Sequence, residues 1–250
     1  MSSSWGGEFF NDRYQEPESN AQVDTHANYG SITGGYTHIF DSHLFTAIDG
    51  RASYGRETYK SGIAGKATDS TPQYEEDIRL RLGVNTFPNE SSVLSPYTGI
   101  GERLYLDDSK GQLTDRNFIG YDRRISQTYL PFGLTYKYKT SDHWTFSPNL
   151  EFDTLLYGKV DTRTGENNQG NANFIPNTEN DQHHGYGIRG EFMVGQQMGR
   201  YAWQAGPFFR YWDIRQSNVD IVTNGAGAKG GRIEPDNKRT QLGLNFRVLF

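Results

Sequence analysis

The strongest pattern in this chain is an alternation of apolar and polar residues over segments longer than most globular strands. In the segment YEEDIRLRLGVNTFP, one face carries Ile78, Leu80, Leu82, Val84 and Thr86, and the other carries Asp77, Arg79, Arg81, Gly83 and Asn85. The segments TFSPNLEFDTLLYGKV, HGYGIRGEFMV and TQLGLNFRVLF repeat this arrangement. A period of two places the two classes on opposite faces of a β-strand. The chain therefore predicts a sheet with one apolar face and one polar face.

Turn residues divide the alternating segments into ten predicted strands. Many of them run for 14 residues or more, against about 5–6 for the commonest globular strand. The predicted strands cover residues 5–16, 26–40, 44–60, 74–88, 93–107, 118–139, 143–161, 183–197, 200–216 and 237–250.

The connections between these strands alternate in length. Four are short, at 41–43, 89–92, 140–142 and 198–199, and five are long and polar, at 17–25, 61–73, 108–117, 162–182 and 217–236. Short turns at one end and long loops at the other are typical of an up-and-down barrel with an even strand number. The prediction is a single all-β domain, residues 1–250, folded as a ten-stranded antiparallel up-and-down transmembrane barrel. The turns and both termini would lie on the periplasmic side and the long loops outside the cell.

Composition agrees with an ordered β-protein and excludes several classes. Hydrophobic residues make up only 34% of the chain, but aromatics reach 14%, whereas disordered chains are poor in aromatics. The absence of cysteine excludes disulfides and thiolate metal sites. A net charge of −5 provides no electrostatic footprint for nucleic acid. No apolar run approaches the roughly 18 residues of a membrane helix. The opening MSSSWGG is interpreted as a start added to a mature chain and is left out of the fold prediction.

A water-soluble barrel with its apolar face inward is the alternative reading. The polar face carries many charges of both signs, which could neutralise one another in a narrow lumen. Long strands with low overall hydropathy also fit a barrel with a polar interior. Aromatic residues near the strand ends favour the interfacial girdles of a membrane barrel: Phe40, Tyr138, Trp144, Tyr201, Trp203 and Phe250.

Three segments carry a resemblance to small bacterial outer-membrane β-barrel proteins. The ending GLNFRVLF resembles their terminal strand, whose final aromatic residue, here Phe250, is recognised by the barrel-assembly machinery. SPYTGIGERLYL and AGPFFRYW are similar to strands common in such proteins. The resemblance implies localisation in the bacterial outer membrane. It also implies membrane lipid, lipopolysaccharide and the assembly machinery as partners, with no cofactor.

The polar face is expected to fill the barrel interior with paired charges. Ten strands enclose little more space than eight, where side chains fill the lumen, so arginine–carboxylate pairs would plug it. Arg79, Arg81, Arg189 and Arg210 are expected to meet Asp49, Glu151, Asp153 and Glu191. A charged constriction that selects small solutes is the alternative. The predicted inward charges are Asp49, Arg51, Glu57, Asp77, Arg79, Arg81, Arg103, Arg123, Glu151, Asp153, Arg189, Glu191, Arg210 and Arg247.

One strand conflicts with simple alternation. If Arg103 points inward, its neighbour Glu102 must point toward lipid, where a charge at mid-membrane depth is costly. A bulge or a position at the membrane rim would resolve the conflict.

The segment NDQHHGYG places Asp181 and His183 where the fourth long loop meets strand eight. This Asp-x-His pair resembles the omptins, ten-stranded outer-membrane proteases that hold such a pair and an acidic pair across the barrel rim. The resemblance implies a water activated by general-base catalysis. Glu75 and Asp77, at the start of strand four, stand in place of the expected Asp-Asp pair. The histidines are otherwise scattered, and no metal site is predicted.

The long loops offer the remaining place for function, because binding residues usually lie on loops held by a rigid scaffold. The expectation is a surface interaction or structural protein that acts through its loops, above all 162–182 and 217–236, on an unidentified surface ligand. A narrow channel and an omptin-like protease are the alternatives.

Overall fold

The computed structural model describes residues 1–167 and 175–250 and is almost entirely β-sheet. Ten long strands each pair antiparallel with the next, and β1 pairs with β10 to close the barrel. The predicted ten-stranded antiparallel barrel is confirmed. The strands are β1 (Ser2–Gln15), β2 (Asp24–Ile39), β3 (Leu44–Ser61), β4 (Thr71–Val84), β5 (Ser92–Asp107), β6 (Arg123–Lys139), β7 (Trp144–Thr162), β8 (Gly185–Met198), β9 (Tyr201–Ile214) and β10 (Asn237–Leu249).

The structure corrects the predicted boundaries in three places. Leaving out the opening MSSSWGG was wrong, because β1 begins at Ser2 and pairs with β2 from Ser2 and with β10 from Ser4. β6 begins at Arg123 rather than at residue 118. The short strand Thr178–Gln182 precedes β8 and pairs with β7 in the same register, so this wall extends further into the loop than predicted.

Two of the short turns share one geometry, and each ends in histidine. In both, the histidine N–H donates to the carbonyl three residues back, from His43 to Phe40 and from His143 to Thr140. Both histidines adopt a left-handed backbone, with φ of 65° and 66°. A three-residue hairpin loop needs a residue of this conformation at its last position. The four short turns lie at one end of the barrel, called here the turn end, and the long loops lie at the loop end.

The outer surface carries the apolar face of every strand. Within residues 1–167 and 175–250, no helix is long and apolar enough to cross a membrane. The exposed apolar side chains form a band around the barrel, the arrangement that lipid requires and water disfavours. They include Phe9, Ile32, Ile48, Ile78, Leu80, Ile100, Phe132, Leu150, Phe192, Phe209, Leu242, Leu244 and Phe246. Near the turn end, Phe40, Tyr138, Tyr201 and Phe250 are exposed beside an edge-to-face pair of Trp144 and Trp203.

The strands continue past this band at the loop end. On β1 the outward residues change from apolar Phe9 to Asn11 and Arg13, and on β3 they change to Arg56 and Thr58, all exposed. A rise of about 3.3 Å per residue at a tilt of about 40° makes the extension of β1 roughly 15 Å tall. The loop end is therefore a polar-walled cup above the apolar band.

Glu102 lies at the border between the two zones. It points outward, as Arg103 inward requires, and it pairs with Ile78 without a bulge. Its carboxylate accepts a hydrogen bond of 2.5 Å from Thr128 Oγ1 on the neighbouring strand. The outward Thr128 and Glu76 on the adjacent strands make this border polar on three neighbouring strands. The charge therefore lies at the rim of the apolar band.

Candidate functional site

The middle of the lumen is closed by a buried network of arginines and carboxylates, called here the arginine plug. At its centre, Glu75 Oε1 accepts hydrogen bonds from Arg51 Nη2 at 2.7 Å and Arg103 Nε at 2.9 Å. One layer below, Arg189 Nη1 donates to Asp77 Oδ2 at 2.7 Å. Charge-assisted bonds are stronger than neutral ones, and arginine's fork holds more than one carboxylate at once. The network ties strands from several walls of the barrel together.

Nearer the turn end, further pairs line the interior. Arg79, Arg81 and Arg189 meet three of the four carboxylates expected from the sequence, with N···O distances from 2.6 to 2.7 Å. Arg210 instead donates to Glu8 on β1 at 2.6 Å, and Glu191 pairs with Arg247 at 3.2 Å. The pairs are Arg79–Glu151, Arg81–Asp49, Arg189–Asp153, Arg210–Glu8 and Arg247–Glu191.

Sequence reasoning missed part of this network on β1 and β10. Glu8 and Asp12 are 7% and 1% exposed, and Arg239 donates to Asp12 at 2.7 Å. Two adjacent phenylalanines make it impossible to tell from the sequence which residues of β1 face inward. Phe9 faces out and Phe10 lies buried in the lumen. The sequence contained one signal for this part of the network. Glu8 and Asp12 are four residues apart, which places both on the same face of a strand.

Aromatic rings fill the space between the charged groups. Phe10 stacks on Tyr29 with ring centroids 5.0 Å apart. The guanidinium of Arg189 lies 4.9 Å from the ring centroid of Tyr129, and that of Arg239 lies 4.1 Å from that of Tyr105. Guanidinium groups are attracted to ring faces at these distances. The plug is thus packed with side chains.

Two cavities lie on either side of the plug. The turn-end cavity holds about 110 Å³ and is lined by Ser4, Arg79, Arg247 and other polar residues. The loop-end cavity holds about 380 Å³. The two cavities share no lining residue, so the plug separates them.

The loop-end cavity is the larger of the two and the more apolar. Its floor and walls come from strand residues of the cup, among them Thr25, Glu57, Thr71 and Tyr105. Its mouth is built by loops 62–70 and 108–122, which contribute Ile63, Leu113, Phe118, Ile119 and Tyr121. A concave, mostly apolar site with a few converging polar groups is typical of small-molecule binding.

The two loops at the mouth are locked to each other. Arg116 Nη1 donates to the carbonyls of Gly62 at 2.7 Å and Ile63 at 3.0 Å. The backbone N–H of Lys66 donates to Asp115 Oδ1 at 3.0 Å, and the Asp115 N–H donates back to the Lys66 carbonyl at 2.9 Å. These bonds preform the mouth, which lowers the entropy that a ligand would otherwise have to overcome.

Two carboxyl groups face the loop-end cavity, that of the buried Glu57 and that of the partly buried Asp107. Tyr105 Oη donates to Glu57 Oε2 at 3.2 Å, while Gln73 Nε2 and Ser109 Oγ donate to Asp107. Neither carboxyl lies within ion-pair distance of a cationic side chain of residues 1–167 and 175–250.

Burial, with the neighbouring Asp107 next in importance, raises the pKa of Glu57 to about 8. Burial also raises the pKa of the Asp107 carboxyl. Both groups lie in the cup, beyond the apolar band.

Arg123, also on the cavity wall, is already engaged. It pairs with Glu234 of loop 217–236 and lies 3.9 Å from Glu16 of the first loop. Tyr14 Oη is within hydrogen-bond distance of both acids, at 2.9 Å from Glu16 and 3.2 Å from Glu234. This cluster fastens two loops to the barrel and leaves Arg123 committed to carboxylates of the protein itself.

The structure places Asp181 and His183 on the outside of the barrel wall. Asp181 Oδ1 accepts a hydrogen bond of 2.6 Å from Tyr157 Oη, and the His183 ring lies 5.6 Å from the Tyr157 ring. Counting by twos from the inward Arg189 would put both residues inside. However, Gln182 and Gly187 both face inward although an odd number of positions separates them, so the alternation is interrupted between them. Asp181 and His183, the neighbours of Gln182, therefore face out.

The acidic residues proposed to act with Asp181 and His183 lie elsewhere. Glu75 and Asp77 are 1% and 5% exposed and are bound by arginines inside the plug. The structure therefore does not bring the two pairs together around a common cleft. Within residues 1–167 and 175–250, no group of three or more histidine or acidic residues is arranged to hold a metal ion.

The two longest loops, 162–182 and 217–236, were expected to carry the binding site. Residues 168–174 of the predicted loop 162–182 lie outside the described residues. Loop 217–236 forms a two-stranded hairpin of Asp220–Thr223 and Lys229–Arg232, and Arg232 lines the loop-end cavity. The cavity is thus built mainly by loops that length alone did not single out.

Comparison with known proteins identifies the fold. No protein-family model matches the chain, and no curated protein matches it in sequence. The outer membrane protease OmpT from Escherichia coli superposes with a TM-score of 0.64 at 10% identity, covering 100% of this chain and 97% of that one. The transport unit of the autotransporter AIDA-I from Escherichia coli has a TM-score of 0.48 at 9% identity, covering 98% and 89%. The likeness to OmpT shows that the chain has the fold of an outer-membrane β-barrel, and the apolar band around the barrel is the surface that localisation in the bacterial outer membrane requires.

Proposed function

We propose that this protein is a non-conducting outer-membrane barrel that binds a ligand at its extracellular loop end. The single observation that carries the proposal is the arginine plug between two cavities that share no residue. The barrel serves as a rigid support, and the loop-end cavity and the loops around it serve as the site.

Exposed apolar side chains at the mouth support a binding role. Ile63, Leu113, Phe118 and Ile119 are each 47–51% exposed. They lie on loops above the polar cup, where no lipid covers them. Apolar side chains clustered in a water-facing position mark interaction sites more often than scattered ones.

The two alternative functions receive less support. A channel requires a continuous polar path, and the buried ion pairs of the plug, with the aromatic rings between them, interrupt it. Proteolysis in the manner suggested by Asp181 and His183 requires acidic groups beside them, whereas Glu75 and Asp77 are held by arginines. The likeness to the protease OmpT supports the fold without supporting its activity.

Planar-bilayer recording tests the barrel half of the proposal. We expect no large steady conductance from the purified protein, with a general porin recorded in the same membrane as the positive control. A reproducible large open state would favour a channel and overturn the proposal.

A panel of fluorogenic peptides with basic residues, assayed with lipopolysaccharide present, tests proteolysis. Cleavage lost in both Asp181→Ala and His183→Ala would replace binding with proteolysis.

Loop replacement tests the site half of the proposal. Loops 62–70 and 108–122 are each exchanged for a short turn, and loop 217–236 is exchanged in a third variant. We expect all three barrels to assemble, as judged by heat-modifiable migration on gels. The cellular phenotype of the deletion strain should be restored by wild type but not by the first two variants. Full restoration by both would contradict a role for the loop-end cavity.

A further inference from the structure

We propose that the loop-end cavity binds a small organic cation whose ammonium group meets Glu57 and Asp107 and whose apolar body fills the mouth. This inference rests on the proposed function and adds the chemical class of the ligand. Charge, an unsatisfied hydroxyl group, aromatic lining and the apolar mouth each support it.

Charge is the first argument. Glu57 is buried and Asp107 is partly buried on the same wall, and neither forms an ion pair with the described cationic side chains. Without a cation beside it a buried carboxyl keeps its proton, because burial penalises the charged form, whereas every carboxylate of the plug centre is paired with arginine. Of the two arginines that line the cavity, Arg123 is paired with Glu16 and Glu234, and Arg232 lies exposed on loop 217–236 without an ion pair to either carboxyl. A ligand that carries positive charge would supply the missing partner.

An unsatisfied hydroxyl group is the second, independent argument. Thr71 is 2% exposed, and its Oγ1 atom has no hydrogen-bond partner among the described residues. It lines the same cavity as Glu57 and is the direct cross-strand neighbour of Glu57. Buried polar atoms are normally hydrogen-bonded. A free hydroxyl oxygen beside a carboxyl can accept a hydrogen bond from an ammonium group.

The aromatic lining is the third argument. Tyr14, Tyr59, Tyr105, Tyr121 and Phe118 all line the cavity. Ring faces attract ammonium and quaternary ammonium groups by their quadrupole. A tyrosine-rich wall beside carboxyls therefore suits a cation better than it suits an anion, which the two acids would repel.

The apolar mouth and the volume of the cavity indicate what the uncharged part of the ligand is like. The exposed Ile63, Leu113 and Ile119 provide apolar contacts at the entrance. A volume of about 380 Å³ lies near the lower end of the range for small-molecule sites, roughly 300–1,000 Å³. A bare metal ion would leave this apolar surface unused, so an organic cation is the better occupant.

The test compares two molecules of the same shape that differ in charge. Benzylammonium is the probe, and ethylbenzene, in which a methyl group replaces the charged ammonium group, is its neutral isostere. Equilibrium dialysis against the full-length protein in lipid nanodiscs, with empty nanodiscs as background, measures retention of each. We expect retention of the cation above background and no specific retention of the isostere or of phenylacetate.

Substitutions assign the binding to the proposed groups. Glu57→Gln should weaken binding of the cation by at least about tenfold, since each tenfold loss corresponds to about 1.4 kcal/mol, the scale of one charge-assisted bond. Thr71→Val, which removes the hydroxyl but keeps the shape, should weaken it several-fold. Asp181→Asn, a carboxylate change on the outer wall, is the matched control and should leave binding unchanged. Gel migration checks that each variant folds.

The outcomes separate this inference from the proposed function. Equal specific retention of the neutral isostere, or no retention of the cation by the wild-type protein, would overturn the inference about charge. So would binding that Glu57→Gln leaves intact. The proposed function fails on other grounds, namely a large conductance or full activity after loops 62–70 and 108–122 are replaced.

Discussion

Arg189 on β8 and Asp77 on β4 meet across the lumen through a hydrogen bond of 2.7 Å between Nη1 and Oδ2. The same guanidinium donates from Nε to Asp153 on the adjacent β7 at 2.6 Å. Because β4 and β8 lie in different walls of the barrel, this bond inside the lumen links the two walls and stabilises the folded barrel. The plug is thus a brace as well as a barrier.

Removing that brace should destabilise the barrel. Arg189→Ala leaves Asp153 buried without its cation and Asp77 with only the more distant Arg51, and breaking a buried pair from one side costs about 3–5 kcal/mol. Denaturant unfolding of the protein in lipid vesicles measures the loss. Arg13→Ala is the control, because its pair with Asp24 is exposed and worth at most about 1 kcal/mol. Equal losses in both variants would show that the plug carries no special share of stability.

A glycine beneath an aromatic ring is the second target. A Cβ added at Gly101 would lie 2.2 Å from the ring of Tyr129, whose hydroxyl donates to Asp77 at 2.7 Å. We expect Gly101→Val to displace the ring and to cost about 1–3 kcal/mol, as overpacking usually does. Gly50→Val is the control, since a Cβ there meets nothing within 4 Å. The free energy of unfolding of the two variants should therefore differ, and similar values would contradict the contact.

Stability should depend on pH through Glu57. Burial, and next the charge of Asp107, raises the pKa of this carboxyl from 4.5 to about 8. Asp12 also raises it, while Thr25 and Arg239 lower it. Between these values the folded protein holds a proton that the unfolded chain has released, so stability falls as pH rises from about 5 to about 8.

The Glu57→Gln variant isolates this effect. The slope due to Glu57, at most about 1.4 kcal/mol per pH unit, should disappear in the variant. Unfolding midpoints measured at several pH values provide the comparison. If the wild-type and variant curves run parallel, Glu57 titrates as an ordinary glutamate and the burial argument is wrong.

The lock between the two mouth loops can be opened by one substitution. Arg116→Ala removes the bonds to the carbonyls of Gly62 and Ile63, and loop 108–122 should become mobile. Limited digestion with chymotrypsin should then cleave near Phe118 or Tyr121 several times faster than in the wild type. Arg124→Ala, an exposed change on the outer wall, serves as the control. Unchanged cleavage in Arg116→Ala would mean that other contacts hold the mouth.

The terminal aromatic residue should matter for assembly more than for stability. The backbone of Phe250 bonds with that of Ser3 at 2.8 and 3.0 Å, while its side chain is 59% exposed. We expect Phe250→Ala to lower the amount of barrel assembled in cells, with little effect on the stability of refolded protein. Phe246→Ala, another outward residue of β10, should not reduce assembly to the same extent. Equal defects in both would remove the case for a terminal signal.

The sequence by itself determined the barrel. Alternation in segments such as Asp77–Val84 separates apolar from polar side chains, and a sheet whose two faces lie in different surroundings satisfies both classes. The alternation of short and long connections then defined the strand number and the two ends. These features are local, because each depends on neighbours within one strand or one turn.

Only the tertiary structure decided the pairing and the site. The choice of Glu8 as the partner of Arg210 depends on barrel closure between β1 and β10, which no single strand encodes. The outward position of Asp181 and His183 depends on an interruption of the inward–outward alternation between Gln182 and Gly187, which counting by twos does not detect. The loop-end cavity depends on the meeting of loops 62–70 and 108–122, which are far apart in the chain. Such contacts arise from closure and loop packing, where residues distant in sequence are brought together, and so they are absent from any local pattern.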